Sequence, residues 1–206
     1  AYTITVTDAS IGANDLGTLD LRTTVVVNAD AVTTVSGTEA AIRGVVAAAG
    51  ISDLSAKNFN QNAGAAIADG DLATFLALTT GTITASVAAD TYDNLSAATC
   101  ITETGHALAL DITGGGTLPT AAQLNSLRAK TTGVVNIQQA TITGFVSELA
   151  ALYEAQTAGT VTGLAAETLT LSDTGTVNAA DLNTINSGTS VAVAAANITG
   201  LTGTAT

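Results

Sequence analysis

The sequence predicts an α/β chain, a right-handed parallel β/α solenoid. Its leucine-rich-repeat-like coils would each hold about 27 residues and pair into repeats of about 55. Three observations predict it. A phrase of eleven residues recurs four times without gaps. A β-branched run follows each copy. The composition is rich in Ala, Thr, Gly, Val and Leu with only 3% aromatic residues, which suits a thin core between closely stacked backbones rather than a deep one.

The copies are Asn14–Thr24 "NDLGTLDLRTT", Gly70–Thr80 "GDLATFLALTT", Ala122–Thr132 "AQLNSLRAKTT" and Ala180–Ser190 "ADLNTINSGTS". Their third column is Leu16, Leu72, Leu124 and Leu182, and their sixth is Leu19, Phe75, Leu127 and Ile185. An apolar pair spaced i, i+3 marks a short helix with one face inward. All four leucines are therefore expected at equivalent buried positions. The fifth column is Thr18, Thr74, Ser126 and Thr184, and the tenth is Thr23, Thr79, Thr131 and Thr189. Asp15, Asp71 and Asp181 fall near the helix start and Arg22 and Lys130 near its end, each on the side the helix dipole favours. Pro119 stands where a first turn tolerates proline.

The β-branched runs at Val25, Thr82, Val134 and Val191 read as short strands. A second helix is expected over Thr38–Gly50 and over Ser147–Gly159, each opening on an N-cap residue and Glu and closing on Gly. Ile42, Val45, Val46 and Ala49 form an apolar stripe in the first of these. A degenerate copy occupies Ser96–Gly105. A further strand is expected at Tyr2–Asp8, His106–Asp111 and Glu167–Asp173, with a poorly defined copy near Ser55–Asn60. The strand-helix-strand-helix order divides the chain into one solenoid domain, 1–206, of roughly four repeats at about 1–54, 55–108, 109–165 and 166–206, the last incomplete. The chain opens on Ala1 without a methionine and lacks a polar capping unit at either end. The expectation is a piece of a longer array, or a module that stacks end to end through its first and last strands, Ala1–Asp8 and Ser190–Thr206.

Five Lys and Arg stand against seventeen Asp and Glu, a formal net charge of −12. That balance argues against nucleic acid and against anionic lipid as partners. No apolar run is long enough to span a membrane, and no signal peptide is visible. A single cysteine, Cys100, allows no internal disulfide. Near-absence of Cys and Met with an acidic balance fits an extracellular or cell-surface setting.

The phrases "VNAADLNTINSGT" (Val177–Thr189) and "LNSLRAKTTGVVNIQQATITG" (Leu124–Gly144) resemble repeats of very large cyanobacterial cell-surface and hemolysin-like proteins, the giant swimming-motility surface proteins of marine Synechococcus among them. The resemblance covers nearly all of the chain and departs from the pattern around Ser55–Asn62 and Ser96–Gly105. It implies an extracellular structural or adhesive role with no catalytic residues.

Each residue type that carries chemistry has a plainer reading beside the functional one. Asp8, Asp111 and Asp173 each close a first-strand copy, and stacked carboxylates there would suit structural Ca²⁺; turn aspartates accepting backbone N–H groups are the alternative. The single histidine, His106, opens a strand, and no nucleophile-elbow motif accompanies it. Cys100 reads as a small buried filler. The glycine-rich "TGGGTLPT" (Thr113–Thr120) lacks the closing Gly-Lys-Ser/Thr of a phosphate loop and reads as a turn. Asn28 and Asn136 match after second-strand copies and read as a short asparagine ladder. No catalytic or cofactor-binding residue is assigned. The expected function is a non-catalytic structural module of an adhesin, surface layer or fibre, self-associating head to tail or joined to neighbouring repeats of a longer chain. The alternative is a glycan- or protein-binding solenoid module. The few aromatics, with Tyr92 and Tyr153 far apart in the repeat, favour the first.

Overall fold

A computed structural model describes residues 1–97, 100–101 and 103–203, and in it short strands are interspersed with short helices. The order is β1 (Ser10–Gly12), α1 (Ala13–Asp20), β2 (Thr34–Gly37), α2 (Glu39–Ala47), β3 (Asn58–Gln61), α3 (Asp69–Leu76), β4 (Ile83–Ser86), α4 (Tyr92–Ser96) and β5 (Ala107–Ile112). It continues with α5 (Ala121–Arg128), β6 (Val135–Ile137), β7 (Thr141–Gly144), α6 (Val146–Thr157), β8 (Val161–Thr162), β9 (Thr168–Leu171), β10 (Gly175–Asn178), α7 (Ala179–Gly188) and β11 (Ile198–Thr202). The fold is α/β. Seven strands are hydrogen-bonded in the order β1-β2-β3-β4-β5-β6-β8, every pair parallel, and β7-β9 and β10-β11 form two further parallel pairs.

The chain divides into two compact units, Ala1–Ala88 with Ala98–Ala109, and Ala89–Ala97 with Leu110–Thr206. In the first, β1 to β4 and the opening half of β5 pair in sequence order. Ser10 pairs with Thr34 and Thr34 with Asn58, a step of 24 residues that the hydrogen bonds from Thr33 to Ala9 and from Thr82 to Asn58 repeat. The step is shorter than the expected 27. In the second unit the closing half of β5 pairs with β6, β6 with β8, and β7 with β9. There the step reaches 27, as in the bond from Val146 to Asp173. Helix length accounts for much of the difference, since α2 has 9 residues and α6 has 12.

Strand side chains alternate as the pleat requires. In β4, Ile83 and Ala85 face the core while Thr84 and Ser86 face outward. The core of the first unit is layered between strands and helices, from Val35, Phe59 and Ile83 to Leu16, Ile42, Leu72 and Phe75, all at most 1% exposed. The Phe59 and Phe75 rings lie 6.4 Å apart, and the Arg43 guanidinium covers Phe75 at 5.4 Å. Leu108, Ile112, Leu124, Val135, Leu149 and Leu152 are buried likewise.

All four copies of the eleven-residue phrase form helices, α1, α3, α5 and α7. Leu16, Leu72 and Leu124 are fully buried, but Leu182 is half-buried, contrary to expectation. In α7 the buried contact shifts to Ile185 at 0% exposure, while Leu19 is the half-buried member of the sixth column. Thr38 caps α2 by accepting the Ala41 N–H at 3.1 Å. Thr120 and Gln123 form a capping box on α5, so Pro119 precedes the cap rather than filling the first turn.

Several boundaries differ from the sequence reading. Tyr2–Asp8 makes one bridge, Thr5 to Asn28, and the strand lies later at β1. Val191–Val193 is not a strand; the bridge there is Ala194 to Thr170. The middle second helix is α4, which ends at Ser96 where the degenerate copy was placed to begin; residues 98, 99 and 102 of that stretch lie outside the described residues, as do 204–206 of the closing strand. Ala49 lies beyond the end of α2 and is exposed. Helix α6 starts at Val146 with Phe145 as its N-cap, not Ser147. Phe145 offers no capping oxygen. Instead the Glu148 carboxylate accepts the Phe145 N–H at 3.1 Å and Asp173 accepts the Val146 N–H at 2.7 Å, so a distant side chain fixes this helix start.

Candidate functional site

The tenth-column threonines hold the strand-helix segments together. In all four, Oγ1 accepts the N–H two residues on: Val25, Gly81, Gly133 and Val191, at 2.9 to 3.1 Å. In Thr23, Thr79 and Thr189 the same hydroxyl donates to a carbonyl of the preceding segment. Thr23 reaches Tyr2 at 2.6 Å, Thr79 reaches Lys57 at 2.6 Å and Ser55 at 3.0 Å, and Thr189 reaches Ala165 at 3.4 Å. One side chain thereby closes its own turn and ties it to the turn before. The fifth-column hydroxyls donate within their helices instead, Thr18 to Asn14, Thr74 to Asp71 and Ser126 to Ala122, although Thr74 also accepts from Arg43.

The three candidate calcium ligands take different places. Asp8 is exposed in the first unit. Asp111 Oδ1 accepts amide N–H groups from Asn136 at 2.9 Å and Gln138 at 2.7 Å. Asp173 caps α6. Among the described residues, no group of three or more His, Cys, Asp and Glu side chains is placed to hold a metal ion.

His106 is 5% exposed, and its Nδ1 accepts the Ile83 N–H at 3.1 Å while Nε2 lies 3.5 Å from the Glu103 carboxylate. That geometry makes Nδ1 the unprotonated nitrogen and joins the start of β5 to the start of β4. Cys100 is 1% exposed. The glycine-rich loop is a tied turn: Gly115 and Gly116 take positive φ, Asp93 accepts the Thr117 N–H at 2.9 Å, and Gln139 donates to the Thr113 carbonyl at 2.8 Å. Asn28 accepts the N–H of Asp30 at 2.9 Å, whereas Asn136 bonds across strands to Asp111 and accepts from Thr162, so the two asparagines do different work.

Two constellations centre on residues outside the repeat columns. Arg43 pairs with Glu39 at 2.7 Å, donates to the Asp71 carbonyl and the Thr74 hydroxyl at 3.0 Å each, and so links α2 to α3. Tyr153, 2% exposed, donates its hydroxyl to Glu167, 3% exposed, whose other oxygen accepts the Ala165 N–H at 2.8 Å. Burial, and then the Glu167 carboxylate, push the Tyr153 hydroxyl well above its ordinary pKa.

The surface clefts are shallow. A cleft of about 290 Å³ in the second unit is lined by β9, Asp173 and residues 194–198. Another of about 270 Å³ in the first unit is lined by Ala1, Tyr2 and residues 21–24. Compared with protein-family models, with curated proteins and with solved structures, the chain has no match.

Proposed function

We propose that this chain is a non-catalytic structural module of a cell-surface or extracellular assembly, an adhesin, surface layer or fibre segment. Its strand-helix segments stack as coils of a right-handed parallel solenoid that joins a longer array or assembles end to end. The observation that carries this reading is the threonine column: one residue type at one repeat position closes a turn and ties it to the preceding one. The other chemistry-bearing side chains support it. His106, Asp111, Glu167 and Asp173 each accept main-chain or amide N–H groups in the scaffold. The acidic balance of −12 and the resemblance of Val177–Thr189 to large surface-protein repeats support the extracellular setting.

The test is antibody labelling of intact and permeabilised source cells, with a glycan array run in parallel. Labelling of intact cells without a saturable glycan ligand is the expected result. Labelling confined to permeabilised cells overturns the surface setting. Saturable binding of one glycan moves the chain to the glycan-binding alternative.

A further inference from the structure

Leu21 is the most exposed large hydrophobic side chain among the described residues, at 86%. It is also rigidly presented. As the C-cap of α1 it keeps helical backbone angles, and its N–H bonds the Gly17 carbonyl at 3.2 Å. Arg22 follows it, exposed, its main chain held by the Tyr2 hydroxyl bonding the Arg22 carbonyl at 2.8 Å. Among the described residues the Lys or Arg ion pair is Arg43–Glu39, so Arg22 has its charge uncommitted. The result is an apolar knob beside a cation on a fixed turn.

The second unit carries a complementary recess. The 290 Å³ cleft has an apolar lining from Leu169, Leu171, Ala195 and Ile198, with Asp173 in its wall. From residue 131 to the end of the sequence there is no Lys or Arg, so nothing cationic from that stretch opposes Arg22. Hydrophobicity and charge thus match between the knob and the recess. Resting on the structural reading above, we propose that the Leu21–Arg22 knob of one copy seats in the Leu169–Asp173–Ile198 cleft of a second copy. Leu21 fills the apolar recess and Arg22 pairs with Asp173. The two surfaces differ, so the contact is heterologous: each copy offers one knob and one recess, and association continues into chains or closes into rings.

The experiment uses the full chain and two variants that change exposed side chains, Leu21→Ser and Ala195→Trp. Sedimentation velocity is recorded from micromolar to millimolar concentration, with circular dichroism confirming that each variant folds. Wild type is expected to grow beyond a dimer with concentration. Each variant alone is expected to stay monomeric, one lacking the knob and the other the recess. Mixed together, they should recover a one-to-one dimer, because the intact recess of the first accepts the intact knob of the second. A monomeric wild type, variants that associate like wild type, or a mixture that fails to pair overturns the contact. None of these outcomes touches the structural reading itself, which falls to the labelling and glycan experiments instead.

Discussion

The hydroxyl of Tyr153 on α6 donates to the carboxylate of Glu167 in the loop before β9, and both residues are at most 3% exposed. A buried carboxylate keeps its place only when its oxygens are satisfied, here by the Tyr153 hydroxyl and the Ala165 N–H. Tyr153→Phe keeps the ring and removes the donor. It should destabilise the chain by about 1–3 kcal/mol in urea or guanidinium melts, because one Glu167 oxygen is left buried and unpaired. A loss no greater than that of an exposed-site control would show that water replaces the hydroxyl.

The same pair sets an alkaline limit. The Tyr153 hydroxyl is raised above its ordinary value of 10.0 in the folded chain. A raised value contributes stability that is complete below the unfolded value and lost as pH rises toward the folded one. The stability gap between wild type and Tyr153→Phe should therefore narrow above pH 10.0, as paired denaturant melts would show. A gap constant across that range contradicts the assignment.

Thr79 is 5% exposed, and its hydroxyl accepts the Gly81 N–H while sharing its one proton between the Lys57 and Ser55 carbonyls. Thr79→Val preserves its shape and removes both the donor and the acceptor, at an expected cost of about 1–3 kcal/mol. Thr18 is exposed and bonds only its own helix, so Thr18→Val should stay within about 0.5 kcal/mol of wild type. Equal costs at the two positions would remove the distinction between tying turns and decorating a helix.

Leu72 and Leu182 share a repeat column and differ in burial, 0% against half-buried. Leu72→Ala should cost about 2–5 kcal/mol, the range for a fully packed leucine. Leu182→Ala should cost about 1–2 kcal/mol, since part of its surface already meets water.

Removal of calcium should leave the fold intact. Asp111 and Asp173 already take N–H groups from Asn136, Gln138 and Val146. Thermal melts with EDTA and with millimolar calcium should superimpose. A large upward shift with calcium would place the acidic strand ends in a metal site after all.

The helices were more legible in the sequence than the strands. Leu16 with Leu19 and Leu124 with Leu127 repeat the i, i+3 spacing locally, so eleven residues were enough to read them. Strands such as Thr34–Gly37, Thr141–Gly144 and Gly175–Asn178 are three parts polar or small, and on their own they resemble turns. They are strands because a parallel neighbour more than twenty residues away completes the ladder, as Thr34 does with Asn58. Distance in sequence also hid the Phe145 helix start, which Asp173 caps, and the Tyr153–Glu167 pair, which belongs to no repeat column. The threonine column was visible as repetition, but its partners were not, because they are main-chain atoms.

Those main-chain partners bear on how such a chain is copied. The carbonyls that receive Thr23, Thr79 and Thr189 belong to Tyr2, Lys57 and Ala165, three residues with nothing in common but a peptide group. A tie of this kind reads no side chain. Whatever segment precedes it in the gene supplies the acceptor, so a duplicated, deleted or exchanged segment finds its join ready-made without a compensating substitution next door. The threonine tie therefore tolerates such an exchange, whereas the ties of Asp173 to Val146 and of Arg43 to Thr74 must travel with their partners.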